Sequence, residues 1–188
     1  MKTVLHSITA FVLIVSAGAA FAQDDSNLTS EQLAAKFMAQ EATRGLVIAP
    51  SGDTTTAENG DTGATLPADT TYVALDPSQQ VNFQIKFAFD SAALAESEVA
   101  KLNTLCDVMK TSTIDKFKII GHTDASGTDA YNQNLSLLRA EEVKRHLVDD
   151  CGVPDSKLVA VGVGEAFPLD PNDPRADVNR RVEFQVGS

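Results

Sequence analysis

Between residues 81 and 186 the chain alternates strand-like runs with two long helical stripes, and this alternation restricts the fold more than any other feature. Val81, Phe83, Ile85 and Phe87 are separated by Asn82, Gln84 and Lys86, the period of two expected of a half-buried strand. After Ser91, the residues Ala95, Val99, Leu102, Cys106 and Met109 recur at helical spacing, which predicts a helix with one core-facing stripe. Phe117 to Ile120 is β-branched and aromatic and ends at Gly121, a second strand. A polar loop from His122 to Asp129 leads into a second helix. Its Ala140, Val143, Leu147 and Cys151 share a face, and Gly152 and Pro154 stop it. Leu158 to Val163 reads as a third strand. In the fourth, Val182, Phe184 and Val186 alternate with Arg181, Glu183 and Gln185. The order β-α-β-α-β-β predicts an α/β sandwich of two layers, in which right-handed crossovers put both helices on one sheet face.

The same stripes carry Cys106 toward the end of the first helix and Cys151 to the end of the second. Crossover helices on one sheet face run parallel, so these ends are expected to be neighbours. In an oxidising compartment they form a disulfide, and the alternative is two buried thiols.

The N-terminus predicts that compartment. Met1-Lys2 gives a short positive end, and the apolar run Phe11-Val12-Leu13-Ile14-Val15 follows. Ala20-Phe21-Ala22 has the small-x-small pattern of a signal-peptidase site, with cleavage before Gln23, so residues 1–22 are read as a signal peptide. The alternative is an uncleaved anchor, which needs about 20 apolar residues and is barely reached here. Either outcome exports the rest of the chain. After cleavage no integral membrane span is expected.

Residues 23–49 are read as an N-terminal segment with one short helix, Leu28 to Arg44, capped by Ser30 and placing Leu33, Phe37 and Glu41 on one face. Residues 50–80 are read as an acidic disordered linker. From Pro50 to Thr71 the text is Thr, Asp, Gly, Ala and Asn, too poor in large apolar side chains to offset the entropy of ordering. The folded domain is placed at 81–188.

Charge excludes one class of partner. The chain carries 15 Lys+Arg against 26 Asp+Glu, a formal net charge of −11, which nucleic-acid phosphates repel. Two Cys and three scattered His show no metal-ligand spacing, so neither a metal nor another cofactor is expected.

Several motifs now fall on particular elements. Phe87-Ala88-Phe89-Asp90-Ser91 closes the first strand, and Gly121-His122-Thr123-Asp124-Ala125-Ser126-Gly127 leaves the second. Asn132, Leu135-Ser136 and Arg139-Ala140 lie on the following helix. Gly164-Glu165 and Asn179-Arg180-Arg181-Val182-Glu183-Phe184 come last. Over about residues 81–187 this set resembles the OmpA-like C-terminal domain, shared by outer membrane protein A, peptidoglycan-associated lipoprotein and flagellar motor stator proteins. The resemblance implies non-covalent binding of peptidoglycan through the diaminopimelate of the stem peptide, in the periplasm and in association with the outer membrane. Asp124 and Arg139 match the positions that hold diaminopimelate in that family, and Asp90, Thr123, Asn132 and Arg180 match positions that line its pocket. Two features depart from the pattern. Neither a lipidated Cys nor a barrel accompanies the domain, and Val163 stands where many relatives have an aromatic residue.

The chemistry has its own logic. The free end of a diaminopimelate side chain is a zwitterion, with an ammonium and a carboxylate on one carbon. Asp124 on the strand-exit loop accepts from the ammonium, and Arg139 grips the carboxylate through two parallel N–H bonds. Arg139 stands about 10 Å along its helix, and helical side chains slant back toward the N-terminus and the loop. His122 is read as fixing that loop by hydrogen bonding, and Arg181 as pairing across strands. Two other classes compete with the binder. A peptidoglycan hydrolase needs a positioned acid or nucleophile that the sequence does not offer. An interaction module would dock another envelope protein through the Leu28–Arg44 helix.

Overall fold

The computed structural model describes residues 24–44, 71–87 and 91–187. The signal peptide, most of the linker and Asp90 lie outside the described residues. Among the described residues the fold is built on three α-helices and four strands: α1 (Ser30–Arg44), β1 (Val81–Phe83), α2 (Glu96–Thr111), β2 (Phe117–Gly121), α3 (Asp129–Asp149), β3 (Leu158–Gly162) and β4 (Val182–Val186). The sheet order is β1-β4-β2-β3, with β4 antiparallel to both its neighbours and β2 parallel to β3. The expected α/β sandwich is present, with a third helix added to its helical layer.

The helical face of the sheet carries the main core. Phe83, Phe117, Ile119, Leu158, Val182 and Phe184 meet Leu102, Leu105 and Met109 of α2 and Ala140, Val143 and Leu147 of α3. Phe83 meets Phe184 edge-on at 5.2 Å, a favourable arrangement of ring quadrupoles. Thr128 caps α3, its hydroxyl accepting from the Tyr131 amide. At the other end Gly152 turns the chain at φ +75° and releases it toward β3. There Cys106 and Cys151 are joined in a disulfide, as the parallel helices require, with Cα atoms 5.6 Å apart.

Helix α1 departs from the sequence reading in three ways. Thr29, not Ser30, caps it: Thr29 and Gln32 exchange backbone-to-side-chain hydrogen bonds, a reciprocal capping box. Its buried face is Leu33, Phe37 and Gln40, while Glu41 is exposed. That face is spent on this chain's own core. Phe37 packs edge-on against Phe117 at 5.1 Å, and the Gln40 amide accepts from the Val186 amide and donates to the Gln79 carbonyl. The apolar face of this helix is therefore occupied within the chain. Just before α1, Asp25 accepts from the Asn82 amide and pairs with Lys36, which closes the free edge of β1.

The sheet's second face also differs from expectation. Strands β2 and β4 are buried on both sides, including Lys118, Glu183 and Gln185. The cover comes from the last part of the segment read as linker. Lys118 donates to the Thr71 carbonyl, Gln185 to the Val73 carbonyl, and the Tyr72 hydroxyl to Glu183. Residues 71–80 are thus packed against the domain, because a buried polar strip needs partners that a bare sheet face would take from water. The first strand is shorter than its alternation suggests: Phe87 makes only an isolated bridge to Leu94.

Candidate functional site

Two glycines decide how close α3 lies to the strands that feed the site. Gly121 and Gly162 are register partners at the ends of β2 and β3. A Cβ at Gly121 would stand 2.0 Å from the Ser136 carbonyl oxygen, and one at Gly162 would stand 2.5 Å from the Leu137 amide. Ser136 is fully buried, and its hydroxyl accepts from the Gly164 amide at 2.9 Å. The β2–α3 loop is further tied by the Thr123 amide donating to the Gly164 carbonyl.

That loop carries Asp124. Its Oδ1 accepts from the Ser126 amide at 2.8 Å and its Oδ2 from Arg180 Nη1 at 2.6 Å. Burial alone would raise the Asp124 pKa, but the Arg180 guanidinium and Ser126 outweigh it and hold the carboxyl below its usual value. Arg180 also pairs with Asp177 at 2.5 Å. The loop before β4 thus clamps the loop after β2.

Arg139 reaches the same region from one turn beyond Ser136. Its guanidinium lies over the Phe87 ring, 4.8 Å from the centroid, and its Nε donates to the Ser91 carbonyl at 3.3 Å. Burial pulls its pKa down from the usual guanidinium value, opposed by the carboxylate of Asp124. Among the described residues no carboxylate pairs directly with it. Arg139 and Arg180 line one cleft of about 330 Å³ together with Lys86, Phe87, His122 and Arg181. Its walls carry four cationic side chains and Asp177, but Arg180 and Arg181 are met by Asp124, Asp177 and Glu183, so the positive potential centres on Arg139 and Lys86.

The remaining expected residues divide between wall and scaffold. Asn132 is 1% exposed, and its amide bridges the Asp124 carbonyl and the Glu165 carboxylate, so it braces the loop from behind. Thr123 is buried with its hydroxyl unpartnered. His122 does fix the loop: its Nε2 meets Glu183 Oε2 at 3.2 Å, and Tyr72 stands edge-on to its ring. His122 Nδ1 is buried and makes no hydrogen bond of normal geometry among the described residues. Arg181 donates to Asn82 on β1 and lies 3.6 Å from Glu183, the cross-strand pairing its position suggested.

Sequence reasoning missed the part Phe87 plays beneath Arg139 and the direct Arg180–Asp124 pair. The adjacent Arg180-Arg181 carried a signal for the second, since alternation in a strand sends one arginine inward and the other out.

The sequence profile of the OmpA family matches residues 86–181. Outer membrane porin F of Pseudomonas aeruginosa is 42% identical over 110 residues, covering 57% of this chain and 31% of that protein. Outer membrane protein A of Escherichia coli O157:H7 is 36% identical over 117 residues, 54% of this chain and 33% of that protein. The chain thus spans about a third of the length of these curated relatives. Among solved structures, the peptidoglycan-associated lipoprotein from Burkholderia pseudomallei aligns at 31% identity and a TM-score of 0.47, covering 55% of this chain and 88% of that one. The cell wall anchor of the T6SS from Pseudomonas aeruginosa aligns at 26% identity and a TM-score of 0.49, over 61% and 87%.

Proposed function

The chain belongs to the OmpA family, and from that premise we propose that it binds peptidoglycan without catalysis, through the zwitterionic end of the diaminopimelate stem residue, at the periplasmic side of the outer membrane. The observation that carries this reading is the preorganisation of Arg139. Set over the Phe87 ring and held by the Ser91 carbonyl, the guanidinium is restricted before any ligand arrives. Its two remaining nitrogens suit the parallel donation a carboxylate accepts.

Asp124 supplies the opposite charge. Arg180 and Ser126 use part of its acceptor capacity, and an ionised carboxylate has about four lone-pair sites, so an ammonium can still be received. Arg180 then sits beside the same ligand and adds attraction for its carboxylate. Anion and cation are presented from two elements locked together by the Gly121–Ser136 contact, as recognition of a zwitterion demands.

The test is co-sedimentation of the mature chain with purified sacculi containing diaminopimelate, with the supernatant assayed for released muropeptides. Binding without release supports the proposal. Release of fragments overturns its non-catalytic part, and absence of binding overturns the whole.

A further inference from the structure

A second constellation lies far along α3 from the cleft, where the disulfide closes. His146, in the last turn of α3, is 6% exposed. Its Nδ1 lies 2.8 Å from Asp150 Oδ2 and its Nε2 lies 3.7 Å from Cys151 Sγ. Hydrogen-bonded to Asp150 through Nδ1, the ring stands with Nε2 beside the sulfur. Nothing about a structural disulfide calls for this arrangement. It is the orientation of a metal-binding histidine, which donates its other ring N–H to a carboxylate. The ligand atoms of Cys106, Cys151 and His146 all lie within 4.8 Å of one another.

We infer that the dithiol form of this chain binds one zinc ion through Cys106, Cys151 and His146, with Asp150 holding the imidazole. Two thiolates and one imidazole form the donor set of a tetrahedral zinc site with a fourth position open to water. At the usual zinc–sulfur and zinc–nitrogen lengths, a tetrahedral angle separates S from N by about 3.6 Å, close to the 3.7 Å already present. The two sulfurs must part from bonding distance to about 3.8 Å, which side-chain rotation allows with Cα atoms 5.6 Å apart. The dithiol exists in the newly exported chain before oxidation. It is regenerated when a dithiol reductant gives up two electrons and two protons to the disulfide and is itself oxidised to a disulfide. Zinc then displaces the two thiol protons. Metal and disulfide are alternative clasps on the same helix ends, and each excludes the other.

The probe is Co²⁺, added to the mature chain reduced by a phosphine and checked for native circular dichroism, with Zn²⁺ as competitor. The expected result is one equivalent bound, with sulfur-to-cobalt charge-transfer and tetrahedral d–d bands that zinc abolishes and that the oxidised chain lacks. His146→Gln is expected to lose the tetrahedral bands, and Asp150→Asn to weaken binding by 10–100-fold. Both variants also fold as disulfides, so their native structure is checked before reduction. Failure of the folded, reduced wild type to give thiolate–cobalt bands overturns the inference. So does His146→Gln binding as tightly as wild type, or a reduced chain that stays unfolded with zinc present.

Discussion

Arg180 grips Asp124 across 56 residues of sequence, Nη1 to Oδ2 at 2.6 Å, so the carboxylate behind the cleft wall is already partly neutralised. Arg180→Ala removes the strongest force holding that carboxyl down. Its pKa is expected to rise toward the ordinary carboxylate value, read from the side-chain carbonyl resonance during a pH titration. The folded pKa now lies below the unfolded one, so Asp124 contributes stability above about pH 3.9 that is lost as pH falls further. The variant should lose part of that acid-sensitive increment.

If the proposed site is right, Asp124→Ala and Arg139→Ala each remove one half of the grip on the zwitterion. A charge-assisted hydrogen bond contributes about 1.5–3 kcal/mol, so each should weaken binding to sacculi by roughly tenfold or more. The double variant should lose less than the sum, because both groups hold one ligand. Arg139→Lys keeps the charge but neither the fork nor the stack on Phe87, and should also bind worse. Single variants that fold normally and sediment like wild type would refute the site.

His122 makes folding sensitive to mild acid. Burial, aided by the charge of Arg181, pushes its pKa down to about 4 against the hydrogen bond to Glu183. Between the unfolded value near 6.5 and that folded value, the unfolded chain binds a proton that the native one refuses. Stability therefore falls as pH drops through this window, by on the order of 3 kcal/mol. Glu183 pushes the same way only at the acid end, below its ordinary value of 4.5. Its burial favours protonation, but His122, Gln185 and Arg181 together hold it below the usual range. Urea midpoints measured from pH 7 to pH 4 should decline for wild type and decline less for His122→Gln.

Helix α1 should behave as part of the domain. Phe37→Ala opens a cavity against Phe117 and should cost about 3–5 kcal/mol, measured by chemical denaturation. Limited proteolysis is expected to cut within 45–70, whose composition is linker-like. The two pieces should then co-elute on gel filtration, and the larger should begin before Tyr72. A C-terminal piece eluting alone would contradict the packing.

The disulfide closes a loop spanning 45 residues. Cys106→Ser with Cys151→Ser should lower stability by about 2–4 kcal/mol relative to the oxidised chain. Thermal melts of oxidised wild type and double variant measure it, and equal midpoints would refute the estimate.

The sandwich was legible because its signals are local. Val182, Phe184 and Val186 alternate within five residues, and Leu102, Cys106 and Met109 recur within eight, so pattern alone specifies which side faces the core. Even the cysteine pair followed from two such stripes. What escaped was every feature made by contact between distant, unpatterned segments. Gln40 bonds to Val186 and Tyr72 to Glu183 across more than a hundred residues, and neither residue stands in a periodic run. The motifs singled out Asp124 and Arg139, whereas the Arg180–Asp124 clamp depends on how one loop folds over another. Asn132 looked like pocket wall for the same reason: its spacing places it near Asp124, but only packing decides that it stands behind the loop.

Gly121 and Gly162 act as a gauge block for the cleft. By admitting the Ser136 and Leu137 backbone to near contact they fix the depth at which α3 is seated, and Arg139 rides on that helix one turn further on. A single methyl at either glycine would lift the helix away from the strand that launches Asp124. The reach between the two charges is therefore written in two positions that have no side chain at all.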